Sequence, residues 1–86
     1  MIFSIEYDKQ PVSFIKKSDK HIAKRITDKI EELLSNNPVP HTSLTIAGEH
    51  GVYRIRIGEY RAVYRINYES KKIIVFNLDK RSKVYD

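Results

Sequence analysis

Apolar and polar positions alternate at the start of the chain, with Phe3, Ile5 and Tyr7 on one side and Ile2, Ser4 and Glu6 on the other. Such alternation predicts a half-buried strand over residues 2–7 with Phe3 and Ile5 turned inward. Asp8 is placed to cap a helix, and Pro11 is tolerated in a first helical turn. Val12 and Ile15, with Phe14 beside them, supply the apolar side of a short helix ending near Lys17. Ser18 and Asp19 offer a second cap. From there Ile22, Ile26, Ile30, Leu33 and Leu34 recur at i, i+4, i+8, i+11 and i+12, the clearest helical stripe in the chain. Its polar side carries Lys20, Lys24, Arg25, Asp28, Lys29, Glu31 and Glu32, and the helix is expected to stop in Ser35-Asn36-Asn37-Pro38.

Residues 36–50, with Pro38, Pro40, His41, His50 and Gly48, read as a connector crossing the sheet, with Leu44 and Ile46 as its anchors to the core. Period two then returns. Arg54 and Arg56 fall on one side of a strand, and Tyr53, Ile55 and Ile57 on the other. The next run places Arg61 and Arg65 against Ala62, Tyr64 and Ile66. A two-residue loop at Gly58-Glu59 sets Ile57 opposite Tyr60 and Arg56 opposite Arg61. After a turn at Tyr68-Glu69-Ser70-Lys71, residues 72–78 form a last strand with Ile74, Phe76 and Leu78 inward and Val75, Asn77, Asp79 and Arg81 outward. That parity requires an odd loop such as 69–71, because a slip of one residue exchanges the faces. The expected architecture is α+β, a single domain over residues 1–86 in the order β-α-α-β-β-β. A helical hairpin packs on one face of a small twisted antiparallel sheet, and the other face stays polar.

Composition sharpens this picture only once charge is located. The net charge is +5, yet residues 1–50 hold seven basic and seven acidic residues. Residues 51–86 hold nine basic and four acidic, and five of the six arginines. Guanidinium forks suit bidentate phosphate binding, so an arginine excess confined to one segment reads as a nucleic-acid footprint. A solvated basic surface is the competing reading. There is no cysteine, hence no disulfide framework or thiolate metal site. No stretch approaches the roughly 20 apolar residues of a membrane span, and residues 1–7 do not resemble a signal peptide. A cytoplasmic protein without membrane contact is expected.

On the polar side this reading collects Arg54, Arg56, Arg61, Arg65 and Arg81, with Tyr85 near the end. Successive side chains on one strand face lie about 7 Å apart, compatible with phosphates spaced about 3.4 Å per nucleotide. Like charges directly opposite, as at Arg56 and Arg61, oppose folding and suit a polyanion. Neither a phosphate-binding glycine loop, nor metal-ligand spacing, nor a nucleophile elbow is present, so no cofactor or metal is expected. His21, His41 and His50 read as surface histidines, Asp79 as an ion-pair partner of Arg61 or Arg81, and Tyr53, Tyr60, Tyr64 and Tyr68 as sheet and core residues.

The run Tyr53-Arg54-Ile55-Arg56-Ile57-Gly58 followed by Glu59-Tyr60-Arg61-Ala62-Val63-Tyr64-Arg65-Ile66 resembles the central hairpin of the RelE/ParE toxin superfamily. Lys80-Arg81-Ser82-Lys83-Val84-Tyr85 resembles that family's C-terminal basic element, and Leu44 to Gly48 the stretch before its hairpin. The resemblance covers essentially the whole chain. It implies a RelE-like fold similar to microbial ribonucleases, and the toxin of a type II toxin–antitoxin pair. RelE-like members cut mRNA in the A site of the 30S subunit by attack of the 2′-hydroxyl on the adjacent phosphate. Carried over by motif, the catalytic set is Arg54, Arg61, Arg81 and Tyr85. Arg61 and Arg81 would stabilise the pentacovalent phosphate, and Tyr85 would stack on or deprotonate the cleaved nucleotide. Arg56, Arg65, Lys80 and Lys83 would bind RNA or the ribosome. An acidic RelB-like antitoxin is the implied partner, folding as it binds.

The chain also departs from the family. Relatives often carry a lysine pair on the first hairpin strand, where Val52 and Arg54 stand here, or a histidine where Lys80 stands. An arginine is always protonated, so Lys80 joins Tyr85 as a candidate base. The competing classes are a ParE-like inhibitor of DNA gyrase and a non-catalytic member that binds RNA or antitoxin only.

Overall fold

A computed structural model describes residues 2–40, 44–45 (backbone) and 51–80. The chain runs β1 (Ser4–Tyr7), α1 (Lys9–Lys17), α2 (Lys20–Leu34), β2 (Leu44–Thr45), β3 (Val52–Ile57), β4 (Tyr60–Asn67) and β5 (Lys72–Lys80). Asp8 is the N-cap residue of α1, and its carboxylate accepts from the adjacent Lys9 N–H at 3.1 Å. Ser18 serves the end of α1 rather than the start of α2. Its hydroxyl donates to the Phe14 carbonyl at 2.8 Å and its N–H to that of Ile15 at 3.2 Å. Asp19 is the N-cap residue of α2 and makes no side-chain cap bond. The apolar stripe of α2 buries Ile26, Ile30 and Leu34. At its end the Ser35 carbonyl accepts from the Phe3 N–H at 2.7 Å, tying the helix to the foot of β1.

The strands form one sheet in the order β1-β5-β4-β3-β2. It is not wholly antiparallel, as the sequence pattern had led us to expect. β1 pairs with β5 in parallel, from Ser4↔Lys72 to Tyr7↔Val75. Alternation reports which face of a strand is buried and says nothing of its direction. Two helices and three strands separate β1 from β5, so a crossover and no tight turn sets their relative sense. The connector also differs from expectation. Leu44 and Thr45 pair with Arg54 and Tyr53 and add a short edge strand; Ile46 and Gly48 lie outside the described residues.

The last strand corrects a second expectation. Asn67 pairs with Lys72, leaving a four-residue turn, Tyr68 to Lys71, in place of three, with Lys71 at φ 55°. The even turn brings Ile73 and Val75 inward, and they are buried where Ile74 and Phe76 had been expected. The register then shifts: Tyr64 faces Val75 but Val63 faces Asn77, so Phe76 is an extra residue in β5. Such a bulge exchanges the faces once more. Leu78 is consequently buried and Asp79 lies on the outer face, as the alternation had indicated.

The core lies between α1 and α2 and the inner face of the sheet, where Phe3, Ile55, Ile57, Ala62, Tyr64 and Leu78 join the α2 stripe. Tyr64 is fully buried, and its hydroxyl donates to the Pro38 carbonyl at 2.7 Å, which anchors the connector. Tyr53 stacks on Tyr64, Phe14 meets Tyr60 edge-on, and Phe3 meets Tyr68 edge-on, each with centroids 5.9 Å apart. Among the described residues no helix is long and apolar enough to cross a membrane.

Candidate nucleic-acid interface

The β3–β4 hairpin takes the expected register, with Ile57↔Tyr60 and Arg56↔Arg61 around Gly58-Glu59. Gly58 has φ +59° and Glu59 is not at positive φ, the pattern of a hairpin turn with glycine in its first central position. A Cβ at Gly58 would meet nothing within 4 Å, so the demand for glycine comes from the backbone angle alone.

Strand pairing then sorts the arginines into rows across the outer face. The first row runs Arg56, Arg61, Asp79 over β3, β4 and β5. The second runs Leu44, Arg54, Val63, Asn77. Arg56 is exposed, Arg54 is half-buried, and Arg61 is only 6% exposed. Directly opposed residues hold their Cβ atoms about 5 Å apart. Asp79 thus stands beside Arg61 on the side away from Arg56.

Arg65 is two rows from Arg61, opposite Val52 and Ile74. Its guanidinium lies 5.3 Å from the centroid of the Phe76 ring, within cation–π range. Lys80 does not join the arginines. It pairs with Tyr60, whose ring meets Phe14 of α1, so its position belongs to the helical side of the sheet, at an exposed rim. His21 is exposed. Arg81, Lys83 and Tyr85, and with them His41 and His50, lie outside the described residues. The structure therefore brings Arg54, Arg56 and Arg61 together and sets Arg65 and Lys80 apart.

Two residues near this face escape sequence reasoning. Phe76 reaches the arginine side because the four-residue turn sets its neighbours Ile73 and Val75 inward. Gln10 of α1 closes β5 where β1 has run out: its side-chain amide donates to the Leu78 carbonyl at 2.9 Å and accepts from the Leu78 N–H at 2.7 Å. That clamp sits next to Asp79 and holds the strand that leads into Arg81. No pattern in a single sequence marks either residue.

The rows can hold anionic oxygens and cannot move protons. A guanidinium stays charged at any working pH, and one as sheltered as Arg61 acts on a neighbouring anion more strongly than it would in water. With this geometry in view, comparison with known proteins is decisive: the family model for the ParE toxin of type II toxin–antitoxin systems, parDE, matches residues 5–85. The chain belongs to the RelE/ParE toxin superfamily. RelE1 of Methanocaldococcus jannaschii is 30% identical over 88 residues, covering 99% of this chain and 97% of its own. Toxin RelE3 of the same organism is 38% identical over 69 residues, covering 77% of this chain and 76% of its own. The archaeal RelE–RelB complex of Pyrococcus horikoshii OT3 superposes with a TM-score of 0.75 at 27% identity, covering 98% of this chain and all of that one. This RelE-like toxin shares with solved RelE structures an α+β fold of two helices on a mixed sheet.

Proposed function

We propose that this toxin is a ribosome-dependent endoribonuclease that cuts mRNA in the A site and so stops translation in the cytoplasm. The observation that carries the reading is the convergence of Arg54, Arg56 and the sheltered Arg61 on adjacent rows of the outer sheet face. In the reaction the 2′-oxygen forms a bond to the adjacent phosphorus and the bond to the 5′-oxygen breaks. The 2′-hydroxyl loses its proton and the leaving oxygen gains one, giving a 2′,3′-cyclic phosphate and a 5′-hydroxyl. Arg61, with Arg81, stabilises charge on the phosphoryl oxygens. Arg54 and Arg56 hold the backbone, and Arg65, Lys80 and Lys83 contact RNA at the periphery. Lys80 stands on the helical side, which leaves Tyr85 as the proposed proton acceptor or stacking partner. An acidic RelB-like antitoxin covers the arginine face, a partner suggested by the RelE–RelB complex of the archaeal relative and by charge complementarity.

Brief induction followed by sequencing of transcript ends tests the reading, with cuts expected inside codons and only on translated messages. Arg61→Ala is expected to slow cleavage by about 10²–10³-fold, the range for losing one oxyanion-stabilising group. Undiminished toxicity of Arg61→Ala and Arg81→Ala would remove their proposed role. A second reading, a gyrase inhibitor, is favoured by one observation: the family model spanning the chain is that of ParE toxins. Inhibition of gyrase supercoiling by the purified toxin, with transcripts left intact, would select it.

A further inference from the structure

The neutrality of the N-terminal half conceals a second basic pole. Residues 9–25 contain Lys9, Lys16, Lys17, Lys20, Lys24 and Arg25 against the single acid Asp19, a charge of +5. Residues 26–40 contain Lys29 against Asp28, Glu31 and Glu32, a charge of −2. The pole lies on α1 and the start of α2, on the side of the sheet opposite the arginine rows.

Two properties separate it from an ordinary solvated surface. Lys24, Lys29 and Lys72 each hold a carboxylate within 4.0 Å, whereas Lys9, Lys16, Lys17, Lys20 and Arg25 have no ion pair among the described residues. Helix stability accounts for only part of the placement. Lys16 and Lys17 complement the dipole at the end of α1, but Lys9 and Lys20 occupy first turns, where a cation is disfavoured. Lys9, Lys16 and Lys17, with Tyr7, Asp8, Val12 and Ser13, also line one surface hollow of about 490 Å³. Lys9, Ser13 and Lys17 border a second of about 560 Å³. Three ammonium groups and a hydroxyl against the one carboxylate of Asp8 leave the first hollow net basic, which suits phosphate oxygens and carries no means of reading a base. An amphipathic protein segment would need apolar anchors, and Val12 is the one large apolar residue of α1 that is exposed.

We propose that this outward face of α1, continued onto the start of α2, is a second RNA-backbone surface. It holds ribosomal RNA behind the toxin while the arginine face holds the message. Placing the ribosome as the source of that RNA rests on the function proposed above. The test uses the full-length toxin, a fluorescein-labelled twenty-nucleotide oligouridylate, and purified 70S ribosomes in a pelleting assay. The triple variant Lys9→Gln, Lys16→Gln, Lys17→Gln is compared with an equal-charge control, Lys29→Gln, Lys71→Gln, Lys72→Gln, both checked by thermal melts. We expect the first to weaken ribosome binding by at least about tenfold and to lower the salt slope for the oligonucleotide by about 2, at about 0.7 per phosphate contact; the control should stay within about threefold of the parent.

Equal losses in the two triples, or no loss in either, would overturn the proposal. So would unchanged RNA binding combined with lost binding to the acidic product of a neighbouring reading frame, which would make the surface a protein contact. A parent that binds neither ribosomes nor oligonucleotide would remove both this surface and the endonuclease reading. A parent that binds ribosomes through these lysines yet leaves transcripts whole would remove the endonuclease reading alone.

Discussion

Gln10 makes two hydrogen bonds to the backbone of Leu78, 68 positions away. Its primary amide imitates a neighbouring strand at the point where β1 has ended and β5 continues paired with β4 only. Replacing it with alanine leaves a part-buried N–H and C=O without partners, an expected loss of about 1–3 kcal/mol. At about 4–8 °C per kcal/mol for a domain of this size, Gln10→Ala should be obvious in a thermal melt; an unchanged melting temperature would show that water replaces the clamp. Tyr7 presents the opposite case. Its hydroxyl is buried and, among the described residues, has no hydrogen-bond partner. Burial, and secondarily Glu31, push its pKa from 10.0 up to about 12. A raised folded-state value means that the neutral ring contributes fully below the unfolded pKa and loses that contribution as pH climbs through the folded one. Tyr7→Phe should therefore gain on the parent between about pH 10 and pH 12, read as the difference in melting temperature so that titrating lysines cancel. A constant difference across that window would contradict the assignment.

At the scale of elements, the β3–β4 hairpin is where local chemistry and tertiary structure agree. Gly58 adopts φ +59° in open space, so Gly58→Val should cost about 1–3 kcal/mol from backbone strain alone. Glu59→Ala, at a position without that demand, should stay within about 0.5 kcal/mol. Denaturant unfolding of the two variants side by side checks the contrast, and equal effects would mean that the turn is not held by its glycine angle. The same turn places Arg56 opposite Arg61 and so sets the first arginine row. β5 teaches the contrary lesson. Its alternation was legible, but a four-residue turn and the extra Phe76 invert the faces twice. Leu78 and Asp79 keep the faces their spacing indicates, and Ile73 to Phe76 do not. Bulges leave little mark in a single sequence because any residue can occupy the unpaired position.

On the scale of the whole molecule, charge is two-sided. Arg54, Arg56 and Arg61 gather on the outer sheet face, and the lysines of α1 lie behind it. Such a body suits a cleft walled by RNA, where contact on several faces raises affinity and makes it strongly salt-dependent. Both poles could be counted along the chain. That they stand on opposite faces follows from the helices covering one side of the sheet only, and counting by halves hid the second pole because the acidic end of α2 cancels it in the sum.

What the sequence determined by itself is local or periodic. The α2 stripe, the Asp8 cap, the hairpin register and the membership of Arg54, Arg56 and Arg61 in one polar face all follow from spacing of 3.6 or 2 and from a glycine turn. Tertiary structure alone decided the direction of β1, the seat of Phe76, the place of Lys80 on the helical side, and the Gln10 clamp. Each depends on a partner far away in the chain, and residue spacing encodes which face is buried without encoding what will lie beside it.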